Sequence, residues 1–316
     1  MRTAVAPASD LIAAVGNTPM VELRRLAPHD GVRLYAKLEG NNPTGSVKDR
    51  VARAMIESAI TDGSLVPGQT ILEPSSGNTG ISLAMIGSRL GHPVRIVMPD
   101  NTTPEREQIL RLFGAEIVFS PGAEGSNGAI RLAQELADAN ASLFMPYQYG
   151  NEANPRVHFE TTGPEILNQV PDVDVFVAGL GTGGTLTGVG QYLKRERPGV
   201  RIVAAEPLPG EQVQGLRSLE DGFVPPVLDT SVLDDRFLVN NRDAVIGLRR
   251  LLREEGIFAG LSCGAAIAVA VRVAREMESG SVVVLLADGG WKYLSADLWN
   301  RDLDELEDEL EGSLLW

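Results

Sequence analysis

The chain has 316 residues and a formal charge of −14, from 28 Lys and Arg against 42 Asp and Glu. That length suits one large two-lobed body or two modest domains, and a hydrophobic content of 43% is that of a globular chain. The acidic balance makes nucleic acid a poor partner, and a single cysteine, Cys263, excludes an internal disulfide framework or a Cys-rich metal site.

Short apolar, β-branched runs alternate with segments of helical period. In chain order the predicted strands are 33–38, 70–72, 95–98, 116–119, 173–178, 201–205 and 282–287, with helical patterns at 80–90, 105–113, 127–137 and 244–255. Such alternation predicts an α/β fold with mostly parallel sheets flanked by helices. The segment 43–147 reads as a compact run of strand–helix repeats. It is expected to form a small mobile lobe, with 1–42 and 148–316 forming the large one and a ligand in the cleft between them. No run of about 18 apolar residues marks a membrane span, and the N-terminus lacks a signal-peptide pattern, so the expected setting is cytoplasmic. His29, His92 and His158 lie far apart and give no metal spacing, so no metal is expected.

The first polar motif, Asn42-Pro43-Thr44-Gly45-Ser46-Val47-Lys48-Asp49-Arg50, follows the first strand. Pro and Gly shape a turn, and Ser46 is placed to cap a helix that begins near Val47. Lys48 then falls in the first turn. There the helix dipole disfavours a second positive charge and lowers the amine's pKa. A neutral amine is what Schiff-base chemistry needs, although an ordinary surface lysine reads equally well from this spacing alone.

After the second strand comes Glu73-Pro74-Ser75-Ser76-Gly77-Asn78-Thr79-Gly80. Hydroxyls, an amide and free N–H groups at a helix N-terminus make a carboxylate or phosphate site. Capping accounts for one Ser or Thr, not for the whole run. Further on, Gly179-Leu180-Gly181-Thr182-Gly183-Gly184-Thr185 matches G-x-G-x-x-G between a strand and a helix, with Glu206 at the end of the next strand. Alone, this loop reads as a NAD-binding oxidoreductase fingerprint. It reads equally as a cup for one phosphate monoester. Nothing else in the chain points to hydride transfer, whereas the lysine and serine segments need a partner. The last stretch, 302–311, is acidic with leucines at helical spacing, a surface amphipathic helix, and Ser313-Leu314-Leu315-Trp316 is an apolar tip expected to dock.

Taken together, P-T-G-S-x-K-D-R, S-G-N-T-G and G-T-G-G-T in this order resemble the cysteine synthase and cystathionine β-synthase family of fold-type II pyridoxal-phosphate enzymes. The resemblance runs from Gly16-Asn17-Thr18-Pro19 to Asp288-Gly289-Gly290. It implies that Lys48 holds pyridoxal 5'-phosphate as a Schiff base and later removes the Cα proton. Asn78 would bond the cofactor's phenolic oxygen. Gly181, Thr182, Gly183, Gly184 and Thr185 would hold its phosphate, and Ser262 its pyridine nitrogen. Ser75, Ser76, Thr79 and Gln148 would receive the substrate carboxylate. A Ser at the ring nitrogen leaves the ring a weaker electron sink than an Asp would, which favours β-elimination over transamination. The implied reaction is β-replacement through an aminoacrylate, in a homodimer. Cys263 adjoins Ser262 and reads as a small buried residue rather than a catalytic thiol.

One subgroup of the family uses O-phosphoserine and a small thiocarboxylated sulfur-carrier protein, and this chain resembles it. Arg217, in Gly215-Leu216-Arg217-Ser218-Leu219-Glu220-Asp221-Gly222-Phe223, stands where acetylserine enzymes usually carry a small or apolar residue, and arginine suits phosphate. The ending, 310–316, also resembles that subgroup, whose tail folds into the active-site cleft. An O-acetylserine sulfhydrylase, a short cystathionine β-synthase and a non-catalytic ligand-binding scaffold are the remaining alternatives. The intact Lys48 argues against the last.

Overall fold

The computed structural model describes residues 8–75, 77–211 and 213–304. Ser76, the acidic stretch from 305 onward and the apolar tip at 313–316 lie outside the described residues.

Strands β1 (Met20–Glu22) and β2 (Val32–Leu38) pair antiparallel. The chain then runs through helix α1 (Lys48–Asp62), β3 (Thr70–Pro74), α2 (Asn78–Leu90), β4 (Val94–Pro99), α3 (Pro104–Leu112), β5 (Glu116–Ser120), α4 (Gly125–Ala139) and β6 (Leu143–Phe144). After these come α5 (Ala153–Val157), one π-helical turn at His158–Thr162, α6 (Gly163–Gln169), β7 (Val175–Gly179), α7 (Gly184–Glu196), β8 (Arg201–Pro207) and β9 (Asp235–Val239). Helices α8 (Asn241–Glu255) and α9 (Leu261–Glu276) precede the last strand, β10 (Gly280–Leu286).

Two sheets result. The larger has the order β1-β2-β10-β7-β8-β9, parallel apart from β1. The smaller has the order β5-β4-β3-β6 and is wholly parallel. Parallel strands need crossover helices, which cover both faces, so the strands are apolar throughout. On one face of the large sheet, Val282, Val284 and Val203 pack on Leu248, Ala266 and Ala270 of α8 and α9. On the other, Phe176, Ile202 and Val283 pack on Leu186, Val189 and Leu193 of α7. The small sheet is covered by α1 and α2 on one side and by α4, through Ala129 and Ala133, on the other. The α/β architecture expected from the alternation is therefore present.

All seven predicted strands form, with ends displaced by a residue or two. The segment predicted from Val173 starts at Val175, because Val173 N–H closes a turn onto Val170 O. Strands β1, β6 and β9 were not predicted. The first two have three and two residues, too few to carry a period, and β9 is a sheet-edge strand with exposed Arg236 and Leu238.

A buried ion cluster ties the start of α1 to the large sheet. Arg50 Nε lies 2.8 Å from Glu39 Oε2, Arg50 Nη1 lies 2.7 Å from Glu165 Oε1, and Lys37 Nζ lies 2.8 Å from Glu165 Oε2. Burial opposes ionisation of Glu165, but the hydrogen bonds and charges of Arg50 and Lys37 win and bring its pKa down to about 2.

Candidate active site

The carboxyl ends of β3 and β7 face a cavity of about 290 Å³, lined by Lys48, Ser75, Asn78, Thr79, Gln148, Gly181, Thr182 and Arg217. A second cavity of about 30 Å³ shares Lys48, Gly181 and Thr182 and adds Gly183, Thr185 and Ser262. Of the residues expected from the sequence to hold cofactor or substrate, all the described ones except Gly184 line one cavity or the other. Gly184 is the first residue of α7.

Lys48 is the first residue of α1. Ser46 stands one residue farther out than a cap would. Val47, already in helical conformation, occupies the cap position, and the Lys48 N–H reaches Ser46 Oγ at 3.3 Å. The segment is stitched to the end of β10 by Val47 N–H to Ala287 O at 2.8 Å. Asp49 shapes the preceding turn by accepting from Thr44 N at 2.7 Å and from Ser82 Oγ at 2.5 Å. The Lys48 amine is less basic than an ordinary lysine. Withdrawal from water is the leading cause, opposed by the charges of Asp288 and Glu39. Burial thus acts on this amine in addition to the helix dipole expected from the sequence.

In the serine–asparagine loop, Gly77 occupies the cap position of α2, and Ser75 Oγ accepts from Gly77 N at 3.3 Å and from Gly80 N, in the first turn, at 3.0 Å. Thr79 Oγ1 donates to Gln148 Oε1 at 2.6 Å. Asn78 Nδ2 donates to Asp288 Oδ2 at 2.8 Å, and Asn78 Oδ1 accepts from Lys292 Nζ at 2.6 Å. An amide NH₂ has two hydrogens, so one Asn78 donor remains for a ligand.

The glycine loop meets the requirements of an anion cup. Gly183 has φ +84°, and a Cβ on Gly184 would stand 2.0 Å from Asn154 Oδ1. A Cβ on Gly181 would stand 2.6 Å from Gly215 O. Side chains are excluded, which leaves backbone N–H groups at the start of α7. Thr182 Oγ1 accepts from Asn154 Nδ2 at 3.0 Å, and Thr185 Oγ1 lies 3.2 Å from His158 Nε2. His158 is fully buried, and burial together with the charges of Arg50 and Lys48 holds its pKa well below the ordinary value, so the ring is neutral. Ser262, buried in the first turn of α9, completes the far end of the smaller cavity. Cavity size, lysine, amide donor and phosphate cup together fit a pyridoxal phosphate.

Arg217 packs its guanidinium over Phe223 at 4.7 Å and Tyr149 at 5.5 Å and donates to Asn127 Oδ1 at 3.1 Å. Cys263 is buried beside Asp288, and burial pushes its thiol up to about 12, which makes it inert. Glu206 does not face the glycine loop as a ribose-binding acid. It is buried and accepts from Leu219 N at 2.7 Å and from Arg236 Nη1 at 3.2 Å.

Sequence reasoning missed Asp288, Lys292, Tyr293, Asn154 and His158. Asp288 Oδ2 accepts from both Asn78 and Tyr293 OH, the latter at 2.8 Å, and Lys292 is wholly buried. The one available signal was Asp288 at the end of the last strand, followed by Gly-Gly and then by a lysine and a tyrosine.

Comparison with known proteins agrees with this arrangement. A family model described as pyridoxal-phosphate dependent enzyme matches residues 11–289. A cysteine synthase of Staphylococcus aureus (strain N315) is 44% identical over 306 residues, covering 94% of this chain and 98% of the relative. The crystal structure of an O-ureido-L-serine synthase superposes with a TM-score of 0.87 at 43% identity, covering 92% of this chain and 95% of that one. A cysteine synthase (OASS) from Entamoeba histolytica superposes with a TM-score of 0.86 at 33% identity, covering 99% of each chain.

Proposed function

The chain belongs to the pyridoxal-phosphate dependent enzyme family and is a cysteine-synthase-like enzyme of β-replacement type, and on that premise we propose that its substrate is O-phospho-L-serine. Sulfur would replace the phosphate on Cβ, giving L-cysteine and inorganic phosphate. The observation that carries this reading is that Arg217 lines the same cavity as Lys48 and the Ser75–Thr79 loop.

The cofactor, when bound, supplies an aldehyde that condenses with amines and a ring that spreads negative charge. Lys48 Nζ, kept short of its ordinary basicity by burial, serves as its anchor and then takes the proton from the substrate Cα. The α2 N-terminus, with Ser75, Ser76, Thr79 and Gln148, receives the substrate carboxylate. The spare hydrogen of Asn78 Nδ2 would serve the cofactor's phenolic oxygen, and the glycine cup with Thr182 and Thr185 would hold its phosphate. Ser262 would offer a hydroxyl, not a carboxylate, to the ring nitrogen.

Arg217 is the specificity element. Its guanidinium lies against Phe223 and Tyr149 and gives one donor to Asn127, which leaves further donors for a phosphate monoester and offsets the negative field of the chain. The test is a titration of Arg217→Ala with both esters. The half-saturating O-phosphoserine concentration should rise about 10- to 100-fold, the worth of one charge-assisted pair, and that of O-acetylserine by less than about threefold. Equal losses would make Arg217 structural and favour O-acetylserine. That is the competing reading, supported by a relative at 36% identity from Entamoeba histolytica whose structure is of an O-acetyl serine sulfhydrylase.

The same proposal takes 43–147 as the lobe that closes over substrate, a homodimer as the working assembly and the cytoplasm as its setting. A thiocarboxylated carrier protein, or sulfide, is the sulfur source.

A further inference from the structure

Glu73 is a wholly buried acid beside the cavity, and no ion pair among the described residues includes it. Its two oxygens accept the main-chain N–H groups of consecutive residues, Oε2 from Tyr147 at 2.8 Å and Oε1 from Gln148 at 2.9 Å. Burial pushes its pKa up to about 8, against the pull of those two hydrogen bonds. A costly group in such a place needs a structural return.

The return lies in what happens where β3 and β6 part. Their ladder covers only Thr70–Leu143 and Ile71–Phe144. Beyond it the chain turns away at Tyr147, whose φ of +57° is left-handed and is not eased by a glycine. Two successive N–H groups then meet one carboxyl group, each at its own oxygen. The Glu73 carboxyl thereby takes over from the missing ladder bonds.

The arch it holds is a junction. Gln148 Oε1 accepts from Thr79 Oγ1 at 2.6 Å, on the carboxylate loop. Gln148 O accepts from Asn154 Nδ2 at 2.9 Å, and the same Asn154 nitrogen donates to Thr182 Oγ1 at 3.0 Å, in the phosphate cup. The arch thus links the loop expected to take the substrate carboxylate to the cup expected to take the cofactor phosphate.

We propose that Glu73 is a positioning residue that fixes the Tyr147–Gln148 arch and so sets the substrate-carboxylate pocket in register with the cofactor. This rests on the substrate reading above. Glu73 touches no reacting atom. It acts through Gln148, and its effect falls on the part of the substrate that every serine ester shares.

Glu73→Gln keeps the shape but puts an NH₂ against one of two N–H donors. In the holoenzyme, the half-saturating concentrations of O-phosphoserine and O-acetylserine, read from the change in cofactor absorbance, should both rise at least about tenfold, the worth of one lost buried hydrogen bond. Affinity for pyridoxal phosphate itself should stay within about threefold, because the backbone donors of the cup are untouched. Unchanged half-saturation, or a loss confined to cofactor affinity, overturns the proposal.

Hydrogen exchange on the unaltered holoenzyme gives a second arm that needs no variant. The Tyr147 and Gln148 amides should exchange at least about 100-fold more slowly than open loop amides, and exchange at the open rate overturns the clamp. If neither ester alters the wild-type spectrum, the substrate reading has failed, and the exchange arm alone decides whether Glu73 holds the arch.

Discussion

A lysine at the first position of a helix meets the positive end of the dipole, and Lys48 is also withdrawn from water. Both effects favour the neutral amine. Lys48→Ala is therefore expected to yield folded protein that binds pyridoxal phosphate without the visible absorbance of a Schiff base and turns over no ester. Retained absorbance on reconstitution would move the anchor to another lysine, and Lys292, which bonds Asn78 Oδ1, would be the next to test. Arg217 is held against Tyr149 and Phe223 and bonded to Asn127 Oδ1 whatever ligand it meets. Lys48 and Arg217 were legible because their neighbours in the chain are unusual. Asp288 and Lys292 were not, because their meaning comes from contact with Asn78, which lies more than 200 residues away in the chain. His158 was unreadable for the same reason. A lone histidine gains a role only when folding sets it against Thr185.

Among elements, the start of α7 is the most tightly specified. Gly184→Ala would drive a methyl into Asn154 Oδ1. Asn154 holds both Thr182 and the main chain of Gln148, so the displacement should spread. Cofactor affinity is expected to fall at least about tenfold with overall helix content unchanged, as measured by reconstitution of apoprotein, since an overpacked contact of this kind typically costs 1–3 kcal/mol. The long central strands could be read from sequence because burial on both faces forces continuous apolar runs. Strand β6 could not, because two residues show no period, and it is Glu73 rather than a longer ladder that holds the chain beyond it. The glycine loop illustrates the opposite error. Its pattern fits two cofactors equally well, and what separates them lies outside the loop, in Lys48 and the serine–asparagine segment that share its cavity and in Glu206, already committed to Leu219 and Arg236.

Across the whole molecule, the partly buried Glu165 and the wholly buried Glu73 impose opposite pH dependences. Glu165 has a folded pKa of about 2, below its ordinary 4.5. Its contribution to stability is present above pH 4.5 and is lost as pH falls toward 2. Glu73 has a folded pKa of about 8, above its ordinary 4.5, so stability declines as pH rises from 4.5 through 8. Urea midpoints of the holoenzyme should fall on both sides of an acidic optimum. Glu165→Gln should flatten the limb below pH 4.5, although it also leaves Arg50 and Lys37 short of a partner and lowers the whole curve. Glu73→Gln should flatten the limb above that point. A Glu165→Gln profile parallel to the wild type would mean that the Arg50 cluster does not govern acid sensitivity. That cluster joins α1, which carries Lys48, to the large sheet, so the same charges bear on the geometry of the anchor.

Lys48, the serine–asparagine loop, Gly181, Thr182 and Arg217 line one cavity, and the substrate proposal rests on which ester that cavity recognises. The direct measurement is an absorbance titration of the holoenzyme with O-phosphoserine and O-acetylserine in parallel. The resting protein should show a Schiff-base spectrum that changes with both esters, with half-saturation by O-phosphoserine at a concentration at least about tenfold lower, set by one charge-assisted pair at Arg217. A colourless protein, or a response to O-acetylserine at equal or lower concentration, would contradict the proposal.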